Sequence, residues 1–535
     1  MSKFNAEEFA KAADRIWSKA KEERRLLGNP SDEELKALME KEPGVRKTVC
    51  GNLVAESEPT SRAAAFTKNS VDSPFGEEEL KLLAQCEKAL AGERLICIDR
   101  IVGNARSETT VRLVIPERFA HIAYGGRNLF LPVEGEVKEP TYQIVFFSDG
   151  AFEANKQKPL PQKDITIRLA MLEDGRVVKI IRNSSYTGEY KKGVFASEDW
   201  VAKAKRGGIF LHAGCREDYL QSAKGDYKTS RSIFLALSAN GKTTLTCKIL
   251  ARKEREKSLL IQDDGGFLMP DGSFHGFEGG GVYVKTEKVN PGEQVEVYYG
   301  LLKPESVGEN ICVKDDGEMD FYNFERTSNG RAVIKRRDFM HAASYIDVPR
   351  IDNLVLITRG PIIPAISKLT LKEAVALMID GRAMESSAGD PTQAGKIRSQ
   401  FFYDPFMAGG MAEHANRFYE ILKPLKHMNY YLLNTRGVGE GANYKQINVG
   451  RTLAILDFLL RGGLDNPGDW VDSPTGLKVP KAIDGVDEIY VHPERLYSKA
   501  EFEIKQKELN KSRQESIEKV GSSLHPDIRK VLGAD

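Results

Sequence analysis

A chain of 535 residues is long enough for two or more domains, each with a core of its own. Hydrophobic residues make up 41% and charged residues 29%, and 78 Lys and Arg against 77 Asp and Glu leave a net charge of +1. That balance argues against nucleic acid or an anionic membrane as the main partner, and no apolar run approaches the roughly 20 residues of a membrane helix.

The six cysteines (Cys50, Cys86, Cys97, Cys215, Cys247 and Cys312) are scattered without a C-x-x-C pair. Neither a structural zinc site nor a disulfide framework is indicated. The charged start, Met1-Ser-Lys-Phe-Asn-Ala-Glu-Glu, has no apolar segment of a secretory signal. A reducing cytoplasm is the simplest location.

Phe9, Ala13, Ile16 and Ala20 recur at helical spacing among charges and predict a first helix. Asn29-Pro30-Ser31-Asp32-Glu33-Glu34 supplies a cap and first turn for a second helix through Met39, and Glu77 to Leu90 reads as a third. Between them, Glu56 to Arg62 is a loop. From Arg94 to Arg182 the pattern turns to strands at 95–102, 110–115, 142–147 and 166–171, each β-rich and bounded by turn residues. A helix near 197–205 and a strand at 208–212 follow. The chain becomes polar at 219–229, which reads as the end of an α/β domain.

The second half opens on the apolar run Ile233 to Leu237, then a phosphate loop. Strands are predicted at 258–262, 354–358 and 430–434, and helices at 371–380, 412–422 and 451–460. Ser498 to Val520 reads as a charged helix covering the surface. The expected division is therefore 1–222, an N-terminal substrate-side α/β domain, and 223–535, a C-terminal mixed-sheet P-loop nucleotide-binding domain.

Five segments carry chemistry. Ala236-Leu-Ser238-Ala239-Asn240-Gly241-Lys242-Thr243-Thr244 links a strand to a helix start. Backbone N–H groups there can face phosphates, the lysine can neutralise charge, and a hydroxyl can meet Mg²⁺. The bland alternative is an ordinary strand-to-helix turn. Leu259-Leu-Ile-Gln-Asp263-Asp264 ends a strand in carboxylates, which suits a Mg²⁺–nucleotide site, although Asp-Asp-Gly-Gly is also good turn chemistry. His212 closes a short strand beside small residues, as a metal ligand or as a satisfied structural histidine. Tyr186-Thr-Gly-Glu-Tyr-Lys191-Lys192-Gly193 and Phe274-His-Gly-Phe-Glu-Gly-Gly-Gly281 are weak signals alone, and two adjacent lysines most often lie on a solvated surface.

Their order is more specific than any one of them. Tyr-x-Gly-Glu-x-Lys-Lys-Gly, then Leu-His, Leu-Ser-x-x-Gly-Lys-Thr-Thr-Leu, Leu-Ile-x-Asp-Asp, Phe-Glu-Gly-Gly and Lys-Thr resembles the ATP-dependent phosphoenolpyruvate carboxykinases, and the similarity spans roughly Thr60 to Tyr497. The resemblance implies a two-domain carboxykinase-like α/β fold and the reaction of oxaloacetate and ATP to phosphoenolpyruvate, ADP and carbon dioxide. It implies ATP, Mg²⁺ and a second divalent ion, often Mn²⁺, as cofactors. Its partners would be a small dicarboxylate and a nucleotide. By similarity Ser238, Ala239, Asn240, Gly241, Lys242, Thr243 and Thr244 cradle the nucleotide phosphates, with Thr243 on Mg²⁺ and Thr452 near the adenine. Lys192, His212 and Asp264 hold the second ion. A lysine ligates only as a neutral amine, which burial and a metal's charge favour. By the same resemblance Arg62 and Arg331 would bind the dianion, guanidinium offering a two-point geometry, and Tyr186 would lie against its carboxylate or the departing carbon dioxide.

Departures from the family pattern are local. Ala236 and Ala239 stand where the family has glycine, Gly265-Gly266 follow the aspartates where it has Glu-His, and Thr60-Ser-Arg62-Ala-Ala keeps only the arginine core of its Thr-Gly-Arg-Ser-Pro-Lys-Asp-Lys segment. Gln446 replaces an arginine near the adenine. These leave two further readings open at this level: a carboxykinase-like ATP-dependent kinase with another small-molecule acceptor, and a non-catalytic nucleotide-binding protein.

Overall fold

The structure, a computed structural model, describes residues 5–531 apart from 58–65, 155–163, 238–240, 326, 328, 385–396 and 405–406. It is a mixed α/β protein in two compact units. One comprises Met1–Gly207, Gly276–Ile346 and Phe406–Gly409; the other comprises Gly208–His275, Asp347–Pro405 and Gly410–Asp535.

In the first unit the helix Glu7–Glu22 buries Phe9, Ala13, Ile16 and Ala20, the stripe its periodicity predicts. Ser31 caps the helix Asp32–Met39 in a capping box with Glu34, satisfying N–H groups the helix itself leaves unpaired. The main sheet runs in the order Leu26–Gly28, Leu95–Ile101, Thr110–Pro116, Tyr142–Phe147, Val177–Arg182, Thr166–Met171, Thr67–Asn69. Parallel and antiparallel pairs mix within it. Leu82, Leu83, Cys86 and Leu90 of the helix Glu77–Leu90 join Phe9 and Ile16 against Leu95, Val114, Val145 and Ile180 of this sheet. A smaller sheet orders Gly281–Lys285, Arg331–Lys335, Val307–Glu309, Leu53–Ala55 and Arg46–Lys47. Its register sets Glu309 opposite Arg331.

In the second unit the main sheet orders Lys257–Gln262, Ala213–Gln221, Tyr227–Leu235, Asn353–Thr358, Asn429–Asn434, Ile366–Leu369, Lys478–Pro480 and Trp470–Asp472. Two parallel pairings at its centre are flanked by antiparallel ones. The polar stretch 219–229 ends no domain: Ala213–Gln221 and Tyr227–Leu235 form one hairpin, so a boundary at 222/223 falls in its turn. Burial fades toward that turn, and the polarity marks solvent. The long helix Lys499–Val520 buries Phe502, Leu509, Arg513 and Ile517. Steps of seven, four and four residues keep these on one face, so the charged helix covers the unit with a single narrow stripe. No helix among the described residues is long and apolar enough to cross a membrane.

Candidate functional site

The strand Tyr227–Leu235 points its C-terminal end into the phosphate-loop segment. Ser238, Ala239 and Asn240 lie outside the described residues. Gly241 has φ 92°, the left-handed conformation that costs a side-chain-bearing residue energy and glycine little. The helix Lys242–Cys247 starts immediately after it and carries Lys242, Thr243 and Thr244. Close approach is built in from the neighbouring strand. A Cβ on Gly214 would stand 2.3 Å from Thr246 Oγ1 and 3.0 Å from the Asp263 carbonyl.

Three of the expected site residues meet here. Lys242 Nζ donates to Asp264 Oδ1 at 2.6 Å and to the Asp264 carbonyl at 3.2 Å. His212 Nε2 lies 3.1 Å from the same Oδ1. The lysine and histidine are buried, whereas the Asp264 side chain keeps 27% of its surface exposed. The cluster therefore has an accessible carboxylate between two buried nitrogens.

His212 Nδ1 sits 3.1 Å from the Tyr403 carbonyl. A carbonyl only accepts, so Nδ1 carries the proton and Nε2 is the atom offered to Asp264. A neutral ring then sets a nitrogen lone pair against a carboxylate oxygen. A divalent cation satisfies both acceptors, and so does a proton on Nε2. The donor pair thus suits a divalent cation. Among the described residues no third His, Cys, Asp or Glu joins the pair. Phe402 and Tyr403 hold φ of 51° and 53°. Consecutive left-handed aromatic residues are strained, and such strain concentrates at functional sites.

Beneath the phosphate loop, Arg216 is almost fully buried and grips Asp218 with two bonds of 2.7 and 2.6 Å. Ser258 Oγ donates to Asp218 at 2.7 Å, and Arg216 Nη1 donates to the Leu245 carbonyl. The guanidinium meets a carbonyl in the last turn of the Lys242 helix, where cations are favoured. Thr452, expected beside the adenine, is buried, and its hydroxyl donates to the Asn448 carbonyl at 3.1 Å within its own helix.

The first unit gathers the remaining described candidates; Arg62 lies outside the described residues. Tyr186 is buried, and Lys192 Nζ stands 5.2 Å from its ring centre. Arg331 donates to Glu287 Oε1 at 2.8 Å and to the Gly330 carbonyl at 2.6 Å. The two-lysine segment is not a solvated surface pair. Lys191 is buried and forms an ion pair with buried Glu278 at 2.9 Å. Buried Glu189 takes Lys179 Nζ at 2.9 Å and stands 3.7 Å from Lys192 Nζ. Burial pushes the Glu189 carboxyl up, but the charges of Lys179 and Lys192 outweigh it and hold it below the usual range. Because Lys179 is the nearer partner, the pull of Glu189 on Lys192 is the weaker one.

Sequence reasoning missed a third group. His121, on the helix Ala120–Leu129, is 2% exposed. Its Nδ1 lies 2.6 Å from Glu42 Oε2, its Nε2 lies 2.8 Å from the Ser185 carbonyl, and Glu309 Oε1 is 4.0 Å from Nε2. That Glu309 oxygen also accepts from the Thr187 N–H at 2.9 Å. Burial opposes a charge on His121, but Glu42 and Glu309 prevail and raise its pKa from 6.5 to about 9. A raised folded-state value stabilises the protein fully below 6.5, and that stability is lost as pH climbs through about 9. The melting-temperature gap between the unmodified protein and His121→Gln is therefore expected to be widest below that window and to close above it. Melting curves across the pH range check this.

With this geometry in view, sequence kinship is decisive. The phosphoenolpyruvate carboxykinase family matches residues 54–489. A phosphoenolpyruvate carboxykinase (ATP) of Aeropyrum pernix is 30% identical over 433 residues, covering 79% of this chain and 81% of its own. The chain belongs to the phosphoenolpyruvate carboxykinase family. Relatives of the same name from Chelativorans sp. and Campylobacter jejuni are 26% and 25% identical over 457 and 450 residues. They cover 83% and 82% of this chain and 81% and 80% of their own lengths. In this carboxykinase the cluster joins Lys242 of the phosphate-loop segment to His212, which precedes it in sequence, and to Asp264, which follows it.

Proposed function

We propose that this protein is an ATP-dependent phosphoenolpyruvate carboxykinase, turning oxaloacetate and ATP into phosphoenolpyruvate, ADP and carbon dioxide. The observation that carries the reading is the convergence of Lys242 and His212 on Asp264 Oδ1 in a chain of this family. The C–C bond to the departing carboxylate breaks and its electron pair stays on the substrate as an enolate. The enolate oxygen then attacks the γ-phosphorus, and the bond to the ADP oxygen breaks.

Lys242 is assigned to the β/γ-phosphates, where its charge offsets what develops during transfer. Gly241, Thr243 and Thr244 belong to the same cradle together with Ser238, Ala239 and Asn240, and Thr243 is assigned to Mg²⁺. Thr452 is assigned to the adenine side; with its hydroxyl committed to Asn448, it would act there by shape. Lys192, His212 and Asp264 would hold the second divalent ion, Mn²⁺ by preference. Such an ion supplies Lewis-acid polarisation of the ketone. Arg62 and Arg331 are assigned to the carboxylates, with Tyr186 against them. Six free cysteines, four of them buried, suit a reducing compartment, and we assign the protein to the cytoplasm.

The kinship favours this reading over a kinase for another acceptor. The test is an assay with oxaloacetate, ATP, Mg²⁺ and Mn²⁺ that follows phosphoenolpyruvate and ADP. Formation of both in equal amounts is expected. ATP consumption with some other acceptor alone would overturn the assignment of substrate.

A further inference from the structure

The Ser184–Gly188 segment carries Tyr186 and leads into the helix Gly188–Phe195, which bears Lys191 and Lys192. It has little regular structure of its own before Gly188. Something in the surrounding fold has to fix it, because a side chain that orients a small substrate loses its effect when its backbone wanders.

The fixing contacts come from far away in sequence. His121 Nε2 reaches the Ser185 carbonyl at 2.8 Å, and Glu309 Oε1 receives the Thr187 N–H at 2.9 Å. These hold the backbone on both sides of Tyr186. His121 is itself held from the opposite side. Glu42 accepts from the His121 backbone N–H at 2.7 Å through Oε1 and faces Nδ1 at 2.6 Å through Oε2. Side chains of His121, Glu42 and Glu309 are all less than a tenth exposed.

The Ser185 carbonyl has no proton to give, so Nε2 must donate. Glu42 meets Nδ1 with its second oxygen, and a carboxylate there accepts from Nδ1. A ring that donates from both nitrogens is an imidazolium. Two buried carboxylates, one in contact and one at 4.0 Å, offset its charge, in keeping with its raised pKa.

We propose that His121, held as an imidazolium between Glu42 and the Ser185 carbonyl, is a positioning residue for the oxaloacetate end of the reaction: it fixes the backbone that presents Tyr186. The proposal rests on the carboxykinase reading for its kinetic consequence, and on geometry alone for its structural one. His121 touches no substrate; it acts through Ser185. The nucleotide residues Lys242 and Thr243 belong to the other compact unit, so the effect should separate the two substrates.

Two variants and two physical readouts test it. His121→Gln keeps bulk and polarity but cannot carry the charge, and Glu42→Gln leaves the histidine while removing the nearer of its two counter-charges. In both, kcat/KM for oxaloacetate is expected to fall about tenfold or more, as for the loss of a charged hydrogen bond, while KM for ATP stays within about twofold. Hydrogen–deuterium exchange is expected to speed up across Ser184–Gly188 and to stay unchanged across Tyr227–Gln262. In the unmodified protein labelled with ¹⁵N-histidine, the resonances lost in His121→Gln should show both ring nitrogens protonated at neutral pH. Unchanged oxaloacetate kinetics in a folded variant, unchanged exchange at Ser184–Gly188, or a neutral ring tautomer would each overturn the proposal. Should one variant fail to fold, the other still supplies the kinetic and exchange comparison and, by the ring resonances it removes or shifts, the assignment of His121. Should the unmodified protein fail to turn over oxaloacetate, the functional reading falls, while exchange and ring protonation still judge the role of His121.

Discussion

Replacing Lys242 with methionine is expected to lower kcat/KM for ATP by about 10³-fold, the scale of removing a preorganised group that stabilises developing charge. Methionine keeps the length and the buried stem of the side chain and removes only its charge. The ammonium sits 2.6 Å from Asp264 Oδ1 and at the first position of the helix that the glycine turn opens. Its partner Asp264 is part exposed and retains His212, so the substitution leaves no fully buried orphan charge. The fold should survive, with a melting temperature close to that of the unmodified protein. Arg216 and Asp218 continue to brace the helix from below. The check is steady-state kinetics beside a melting curve. A loss smaller than about tenfold would show that Lys242 is an ion-pair partner of Asp264 and little more.

Several helices that periodicity predicted bury a simple stripe: Glu7–Glu22, Asp32–Met39, Glu77–Leu90 and Lys499–Val520 each bury one face, and Ser31 and Ser498 cap the second and the fourth. The helix Ala120–Leu129 escaped because it contains Gly125-Gly126, which locally reads as a breaker. The fold explains the glycine: a Cβ on Gly126 would come within 2.5 Å of the Tyr190 ring. The phosphate loop, His212 and the aspartates were legible because the chemistry imposes short spacings and a fixed order. The His121 group was not. Glu42 and His121 are 79 residues apart and Thr187 and Glu309 are 122 apart, so tertiary packing alone brings them together. Lys191 shows the same limit: beside Lys192 it resembles a surface charge, and its burial is explained by Glu278 together with the Phe277 and Tyr283 rings.

Replacing His212 with alanine is expected to abolish Mn²⁺-dependent turnover and to weaken Mn²⁺ binding. The weakening should exceed the roughly 10–100-fold that loss of an outer-shell partner costs. The His212 ring has two hydrogen-bonding sides. The Tyr403 carbonyl, presented by a strained pair of left-handed residues, takes the Nδ1 proton and so aims Nε2 at Asp264 Oδ1. Alanine removes that nitrogen from the carboxylate, which still faces Lys242. An ammonium beside a carboxylate is a poor seat for a dication, so affinity and turnover should fall together. His212→Asn serves as the second variant, since its amide oxygen can still ligate a hard cation weakly, and partial recovery of Mn²⁺ binding is expected. Mn²⁺ affinity is read by electron paramagnetic resonance without substrate, separately from activity. If His212→Ala bound Mn²⁺ as the unmodified protein does and kept its turnover, the histidine would be a structural partner of Asp264 and Tyr403, and the metal would have to be held by other residues.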